Sequence, residues 1–461
     1  MKEPATQKTA TTKPTTTPSA KKSAARKSAA RKSAARKSWT LLVLLLCVSC
    51  AAPGIADAGS PCVVERADMP QGWRPSAEQE KKLAERPWTE SEAREAAFSI
   101  RTGLREMLDF YARKPSAVED IWEDSVASLV EVTYSSANTA ELDAAASDGA
   151  RRNLSRLIQP YLKRTPKSVE CGEYGEILPL AVYAGSRYED NDARTARMVK
   201  LSNAAAKRCG SLEAATGIDH GPVIAGEKPA TDEEVFDLVI WSLLFIEGQL
   251  VPGLEMPPGA TELPARLWEF LRTYPLPDAS TYPGGAHNED FIENAYLATH
   301  IAYIPTGNHR FPLYVQDSTA LYQFHRANFY AVLEMGELDL VAEFVDSLRQ
   351  YGCTPANDRQ VLDGTRYLLD LFHAGGDSWM AYREPGEEDA EVESYDFIHK
   401  AWTAVLGVRE RTIEPALPGT YGGIVRSWLP APGPSAANPP GTGPSAAGAY
   451  PPGRAQAGQS P

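Results

Sequence analysis

An amphipathic helical spacing, repeated along most of the chain, is the feature that constrains this sequence most. In residues 89–113 six apolar side chains share one helix face: Ala97, Ile100, Leu104, Met107, Leu108 and Tyr111. The same period recurs over residues 116–134, 139–163, 174–188, 191–208, 231–250, 261–273, 288–304, 314–335, 337–351, 357–373 and 391–406. Glycine and proline separate these segments, and strand-like alternation is almost absent. The sequence predicts an all-α fold of about a dozen helices, stacked in series as an open solenoid or a closed ring.

Both ends of the chain lack the apolar residues that a folded core requires. Residues 1–38 are mostly Lys, Arg, Ala, Ser and Thr, and residues 431–461 are mostly Pro, Gly, Ala and Ser. Such segments bury too little apolar surface to offset the entropy lost on ordering. We therefore predict one helical domain over residues 62–430. A basic region with a signal sequence precedes it over residues 1–58, and a disordered tail follows it.

A short apolar run directly after the basic residues predicts export from the cytoplasm by a bacterial-type secretory signal. Residues 41–48 (LLVLLLCV) lie between the basic region and a stretch of small residues, which is the order of a secretory signal. The run is shorter than the roughly 20 residues that span a bilayer. Residues 48–51 (VSCA) resemble a bacterial lipobox, in which Cys50 would carry the lipid. Cleavage between Ala58 and Gly59 is the alternative, and would give a periplasmic or secreted protein.

The distribution of charge excludes one class of partner for the mature domain. Residues 1–38 hold eleven Lys and Arg and one acid, a net charge of +10. The whole chain carries −13, so the remainder carries −23. Since nucleic-acid affinity comes mainly from basic side chains on phosphates, no nucleic-acid partner is predicted for the domain. Membrane contact is predicted only through a lipid anchor on Cys50, which we favour over cleavage before Gly59.

Four cysteines remain after the signal sequence: Cys62, Cys171, Cys209 and Cys353. In an oxidising compartment they allow three sets of pairings, and the sequence does not choose among them. Cys171 with Cys209 is the pairing we favour, because each lies near a predicted helix end. The domain contains no cysteine pair with zinc-ligand spacing.

Within residues 288–408, the order of the elements between residues 338 and 406 is informative. Two helices precede the turn of residues 375–379 (GGDSW), and a helix with Tyr395, His399 and Trp402 on one face follows it. This order resembles the repeats of α/α-toroid proteins, which include terpenoid cyclases, prenyltransferase subunits and several carbohydrate-active enzymes. The resemblance implies inner and outer helices with a central cavity at one end. The DxDD motif of class II terpene cyclases is absent, and no prenyltransferase zinc set can be placed, so only the fold carries over.

Polar and aromatic residues form stripes on four of the predicted helices in the second half of the chain. The stripes consist of Glu293, Tyr296, His300 and Tyr303; Tyr322, His325 and Phe329; Arg366, Asp370 and His373; and Tyr395, His399 and Trp402. An inner ring of helices would direct them into one cavity suited to a polar small molecule or sugar. The alternative is that these side chains are ordinary packing with locally satisfied polar atoms.

The candidate roles follow from the chemistry of these side chains. His300 and His399 are the candidates for proton transfer, with Glu293 and Asp370 as carboxylates that orient them or act as a pair. The aromatic residues, with His325, Arg366 and His373, would bind the ligand. No cofactor or metal is predicted, because neither HExxH nor an i, i+4 histidine pair occurs, although His300, His325 and His399 together remain conceivable ligands. The sequence thus favours a protein that binds a small-molecule or protein ligand, with a hydrolase or lyase acting on a carbohydrate-like molecule as the alternative.

Overall fold

The computed structural model describes Lys81 and residues 85–134, 137–188, 192–228, 231–311, 313–315, 317–384, 393–410 and 417–429. All regular elements in these ranges are α-helices or short 3-10 turns, so the prediction of an all-α fold is confirmed. The proposed lipid attachment site Cys50 and both predicted disordered ends lie outside the described residues.

The α-helices, in chain order, are α1 (Glu90–Arg113), α2 (Ala117–Ile121), α3 (Asp124–Glu131), α4 (Ala140–Leu162), α5 (Tyr174–Arg187), α6 (Ala193–Cys209), α7 (Leu212–Thr216), α8 (His220–Ile224), α9 (Asp232–Gly248), α10 (Leu263–Leu271), α11 (Glu289–Ile301), α12 (Tyr303–Thr306), α13 (Thr319–Met335), α14 (Leu338–Gln350), α15 (Arg359–Ala374), α16 (Ser394–Val408) and α17 (Tyr421–Trp428). Most long helices match the predicted segments to within a few residues.

Local sequence signals fix several helix ends. Helix α1 begins with a capping box, in which the Thr89 hydroxyl accepts from the Glu92 amide and the Glu92 carboxylate accepts from the Thr89 amide. This exchange satisfies two amides that the first turn would otherwise leave without partners. Helix α6 ends at Gly210, whose φ of 70° suits a residue without a Cβ.

Three local features differ from the sequence prediction. The segment 116–134 is broken, because Trp122 adopts a φ of 58° and separates α2 from α3. The short helices α7 and α8 lie between the predicted segments 191–208 and 231–250, where no helix was predicted. Helix α17 was not predicted at all, and its buried Tyr421 donates a hydrogen bond to the Ile304 carbonyl at 2.6 Å.

Two helices, α14 and α16, lie at the centre of the second half of the chain. Helix α14 contacts α11, α13, α15 and α16, and α16 also contacts α1, α2 and α3. The two central helices approach closely at Gly407, where an added Cβ would lie 2.9 Å from the Cα of Ala342. Their close packing leaves nearly every residue of α14 buried. Most of its charged side chains are therefore buried as well.

The first half of the chain forms a continuous series of packed helices. Contacts join α3 to α4, α4 to α5, α5 to α6 and α9, and α9 to α10 and α11. A disulfide joins Cys171, just before α5, to Cys209 at the end of α6. Cys353 is disulfide-bonded as well. Within the described ranges, no helix has both the length and the apolarity needed to cross a bilayer.

Candidate functional site

A polar stripe runs along the buried helix α14. Asp339, Glu343, Asp346 and Gln350 follow one another at intervals of four, three and four residues, so their side chains share one face. Glu343, Asp346 and Gln350 are buried. Ionised groups in such a setting must be paired or must change their protonation. The three carboxylates each lie beside a histidine that a different segment supplies.

Asp339 contacts His399 of α16. The Nδ1 atom of His399 lies 3.1 Å from Oδ2 of Asp339, and the hydroxyl of Tyr296 donates to the same oxygen at 3.3 Å. The ring of Tyr395 stacks on His399 with the ring centres 5.0 Å apart. The side chains of Asp339 and His399 are each 23% exposed, so solvent reaches the stripe at this end.

Glu343 lies one turn further along α14 and contacts α11. The hydroxyl of Thr299 donates a short hydrogen bond to its Oε2 atom. His300 Nδ1 lies 3.8 Å from the same oxygen, and 2.7 Å from the Tyr296 carbonyl, to which it donates when protonated there. Helix α11 thus presents a hydroxyl and an imidazole to one carboxylate.

Asp346 is the innermost of the three carboxylates. It forms a contact with His309, which lies in the turn after α12 with a φ of 72°. The ring of Tyr303 is 4.7 Å from that of His300 and 4.7 Å from that of His309, and so lies between the two histidines. The stripe therefore continues inward as a connected series of polar and aromatic side chains.

Glu131 of α3 is a further buried acid beside this series. Its Oε2 atom accepts a 2.9 Å hydrogen bond from the indole N–H of Trp402, and its Oε1 atom accepts from the Asn308 amide. Burial raises the pKa of Glu131 to about 8, despite the nearby Arg409. Trp402 is thus held by an acid, and it contacts His399 edge-on.

The surroundings shift the pKa values of the groups around the stripe in different directions. Burial raises the pKa of Glu343 to about 8, whereas the pKa of Asp339 is lowered because His399 and hydrogen bonds outweigh the effect of its burial. Burial opposes the charged form of His399 too, but the adjacent Asp339 raises its pKa to about 9. Burial lowers the pKa of His300 to about 4, so this imidazole is neutral at pH 7.

Three of these residues bring potential metal-ligand atoms together. One oxygen from Asp339, one from Glu343 and one ring nitrogen of His399 all lie within 4.8 Å of one another. We call these three residues the acid–histidine cluster. Two carboxylates and an imidazole are groups that bind divalent cations, and they are also groups that transfer protons.

The structure brings about half of the residues predicted for the site to this cluster. His399 belongs to the cluster, and His300, Tyr296 and Tyr395 contact its members. Tyr303 and Trp402 lie beside them. Their common position follows from the packing of α11 and α16 against α14.

The stripe on α13 has a different environment. His325 Nδ1 lies 2.9 Å from the Leu321 carbonyl, and its ring packs against Phe344. Burial lowers its pKa to about 3, which makes it a neutral core residue. Tyr322 packs edge-on against Tyr351. His325 therefore does not join His300 and His399, and the conceivable three-histidine metal site is not formed.

The remaining candidates lie at the surface or against α1. Glu293 and Asp370 are exposed. Arg366 donates to Glu92 at 2.7 Å, and the half-exposed His373 contacts Glu95 and Asp377. The expectation that all four stripes share one cavity was therefore wrong. The α15 stripe faces α1, because α15 covers α14 with its apolar side.

The carboxylates of α14 were not among the predicted site residues. In the sequence, acids spaced four and three residues apart on an amphipathic helix ordinarily mark the face exposed to water. Only the packing of four helices around α14 buries that face. Nothing in the sequence of α14 alone distinguishes the two situations.

Two cavities lie away from the cluster. One of about 340 Å³ is lined by residues that include Trp88, Arg101 and Arg349, and one of about 330 Å³ is lined in part by Phe110 and Phe397. Neither contains a residue of the acid–histidine cluster. Comparison of the chain with protein-family models, curated proteins and solved structures finds no match.

Proposed function

We propose that this chain is an exported protein that binds a small polar ligand, without net negative charge, at the acid–histidine cluster. The observation that carries the proposal is the convergence of carboxylates, imidazoles and aromatic rings from α11, α14 and α16 at a point that solvent reaches. Sites for small molecules combine aromatic walls with a few polar groups in this way.

The order of helix contacts supports a toroid as the frame of the site. Contacts lead from α3 through α4, α5, α9, α11 and α14 to α16, and α16 contacts α3 again. A series of contacts that returns to its start is what a closed ring of helices would give. In such a ring the cluster lies where α14 and α16 meet.

The charges around the site determine which ligands it can accept. Burial and nearby carboxylates raise the pKa of Tyr296 and Tyr395 well above its ordinary value. The acids that act on these tyrosines include Asp124, Glu337, Asp339, Glu343 and Glu384. At pH 7 Glu343 is protonated and Asp339 is paired with the protonated His399, so the negative field comes from the surrounding acids Asp124, Glu337 and Glu384. Their field repels anions and attracts cations.

Three forms of one sugar ring test this proposal. Glucose, glucosamine and glucuronate present the same ring as a neutral molecule, a cation and an anion. We expect glucose and glucosamine, but not glucuronate, to raise the thermal unfolding temperature of the full chain, since a ligand that binds the native state stabilises it. Asp339→Asn should remove the effect.

The exposed acid of the His373 pair provides the matched control, and Asp377→Asn should leave the stabilisation unchanged. Stabilisation by glucuronate equal to that by glucosamine would contradict the electrostatic argument. Absence of any effect from all three sugars would overturn the proposal as a whole.

A hydrolase or lyase is the second candidate, and one observation favours it. Asp339 and Glu343 place two carboxylates beside the imidazole of His399, within 4.8 Å of one another. Paired carboxylates perform acid–base and nucleophilic steps in glycoside cleavage. Release of nitrophenol from a panel of nitrophenyl glycosides, abolished by Asp339→Asn but not by Asp377→Asn, would support this candidate.

Export is supported by the signal-like segment and by the disulfide chemistry of the domain. Disulfides persist in oxidising compartments and are rare in the cytosol. The structure joins Cys171 to Cys209, and Cys353 is disulfide-bonded too. We propose lipid attachment at Cys50 as the form of the mature protein, with a chain that begins at Gly59 as the alternative.

A further inference from the structure

We infer that Asp339, Glu343 and His399 bind one divalent transition-metal ion. The inference rests on the proposed ligand site and names one ligand of that site. No metal was predicted from the sequence, because the two carboxylate ligands lie on α14, whose sequence is that of an ordinary amphipathic helix.

The donor atoms of the three residues lie close together. Two oxygens and one ring nitrogen lie within 4.8 Å of one another, so small rotations of the side chains bring all three to an ion between them. Asp339 and Glu343 are four residues apart on α14, and His399 comes from the adjacent helix α16. Metal sites in helix bundles are built from facing helices in this manner.

One carboxylate oxygen of the cluster has no hydrogen-bond partner among the described residues. Oδ1 of Asp339 is buried and accepts no hydrogen bond from any part of the chain that the structure describes. A buried acceptor without a partner is destabilising, and more so when it is charged. An ion bound between the three side chains would supply the missing partner.

Hydrogen bonds from α11 hold the two carboxyl groups of the cluster. Tyr296 donates to Asp339 at 3.3 Å, and Thr299 donates to Glu343. Hydrogen bonds of this kind orient metal ligands and are part of the design of most protein metal sites. The partial exposure of Asp339 and His399 leaves a path by which an ion can enter.

The chemistry of the ligands indicates the class of ion. Carboxylate and imidazole together suit Zn²⁺ and Mn²⁺ better than Ca²⁺, which prefers oxygen alone. Three protein ligands leave at least one coordination position open for water or another molecule, as in catalytic zinc sites. This arrangement is compatible with both candidates for the function of the site.

Calorimetric titration of the full chain with ZnCl₂ and with MnCl₂, after removal of metals with EDTA, tests the inference. We expect one ion per chain for at least one of the two metals, and a Tm that rises when that metal is added. Glu343→Gln should weaken binding at least tenfold. His373→Gln is the matched control, because it removes a surface imidazole that also lies between two carboxylates, and it should leave binding unchanged.

Thr299→Val provides a second variant in case Glu343→Gln does not fold, since it keeps the Glu343 carboxyl group and removes the hydroxyl that contacts it. The same hydroxyl also contacts the Tyr296 carbonyl at 2.7 Å and Nδ1 of His300 at 3.1 Å. We expect it to weaken binding by about 10- to 100-fold, the usual effect of losing such a bond. The inference is overturned if neither metal binds saturably, if Thr299→Val binds as the wild type does, or if His373→Gln abolishes binding. If a metal binds but no sugar stabilises the chain, the metal site is supported and the proposed sugar-like ligand is refuted. If a sugar stabilises the chain but no metal binds, the sugar-like ligand is supported and the metal site is refuted.

Discussion

A buried ion pair beneath the site gives the sharpest prediction for stability. Glu247 of α9 and Arg310, in the turn after α12, are 1% and 3% exposed and are in contact. The guanidinium also donates to the Gly307 carbonyl at 3.0 Å and lies over the ring of Tyr421. The pair therefore joins α9, the turn that carries His309, and α17.

Removing only the arginine leaves a buried carboxylate without its strongest counter-charge. Loss of one partner from a buried pair costs about 3–5 kcal/mol, whereas replacing both by apolar residues is often neutral or stabilising. We expect Arg310→Met to lower the free energy of unfolding by about 3–5 kcal/mol. The double variant with Glu247→Met should recover at least about 2 kcal/mol of that loss, because no buried charge remains.

Urea denaturation followed by circular dichroism measures these differences. The exposed pair Arg151 and Asp148 provides the control, and Arg151→Met should change the free energy of unfolding by less than about 1 kcal/mol. An effect of Arg310→Met no larger than that of the control would contradict this expectation. So would a loss in the double variant equal to the sum of the two single losses, since the two residues would then act independently.

Three further predictions concern pH, packing and export. The pKa of Glu131 is raised to about 8 in the folded chain, so the stability that its protonated form contributes is complete below its unfolded pKa of about 4.5 and is lost as pH rises through 8. Glu131→Gln should therefore gain stability relative to the wild type between pH 5 and pH 9, and a constant difference in urea midpoint would contradict this. Gly407→Ala should destabilise the chain by about 1–3 kcal/mol, because the new Cβ meets the backbone of Ala342, while Gly172→Ala should not, since nothing lies within 4 Å. Intact-mass analysis of protein from its native host should give a lipid-modified chain beginning at Cys50, whereas a chain that retains Met1 would refute export.

The sequence predicted the fold class because helical periodicity is a local property. Apolar spacing, capping residues and glycine stops are readable over a dozen residues, and most helices end within a few residues of the prediction. The failures also have local causes. A positive φ at Trp122 breaks one expected helix, and α17 is too short for its periodicity to stand out.

The site was predicted only in part, because the sequence of a helix does not show which other helices pack against it. His300, His399 and Tyr296 were predicted because histidine and tyrosine are uncommon among the apolar residues of these helices. Asp339 and Glu343 were not, because acids at helical spacing are ordinary on exposed faces. Glu293 and Asp370 illustrate the converse error, because they were predicted for the site and are exposed at the surface.

The all-α class, the helices and the kinds of side chain available to a site are thus local properties that can be read along the chain. The packing of α11 and α16 against the acidic face of α14, and the direction of the α15 stripe toward α1, depend on the folded arrangement. Burial shifts the pKa of Glu343 upward and that of His300 downward, and it depends on neighbours that are distant in the chain. A local pattern fixes which face of a helix is polar, and packing alone fixes whether that face meets water.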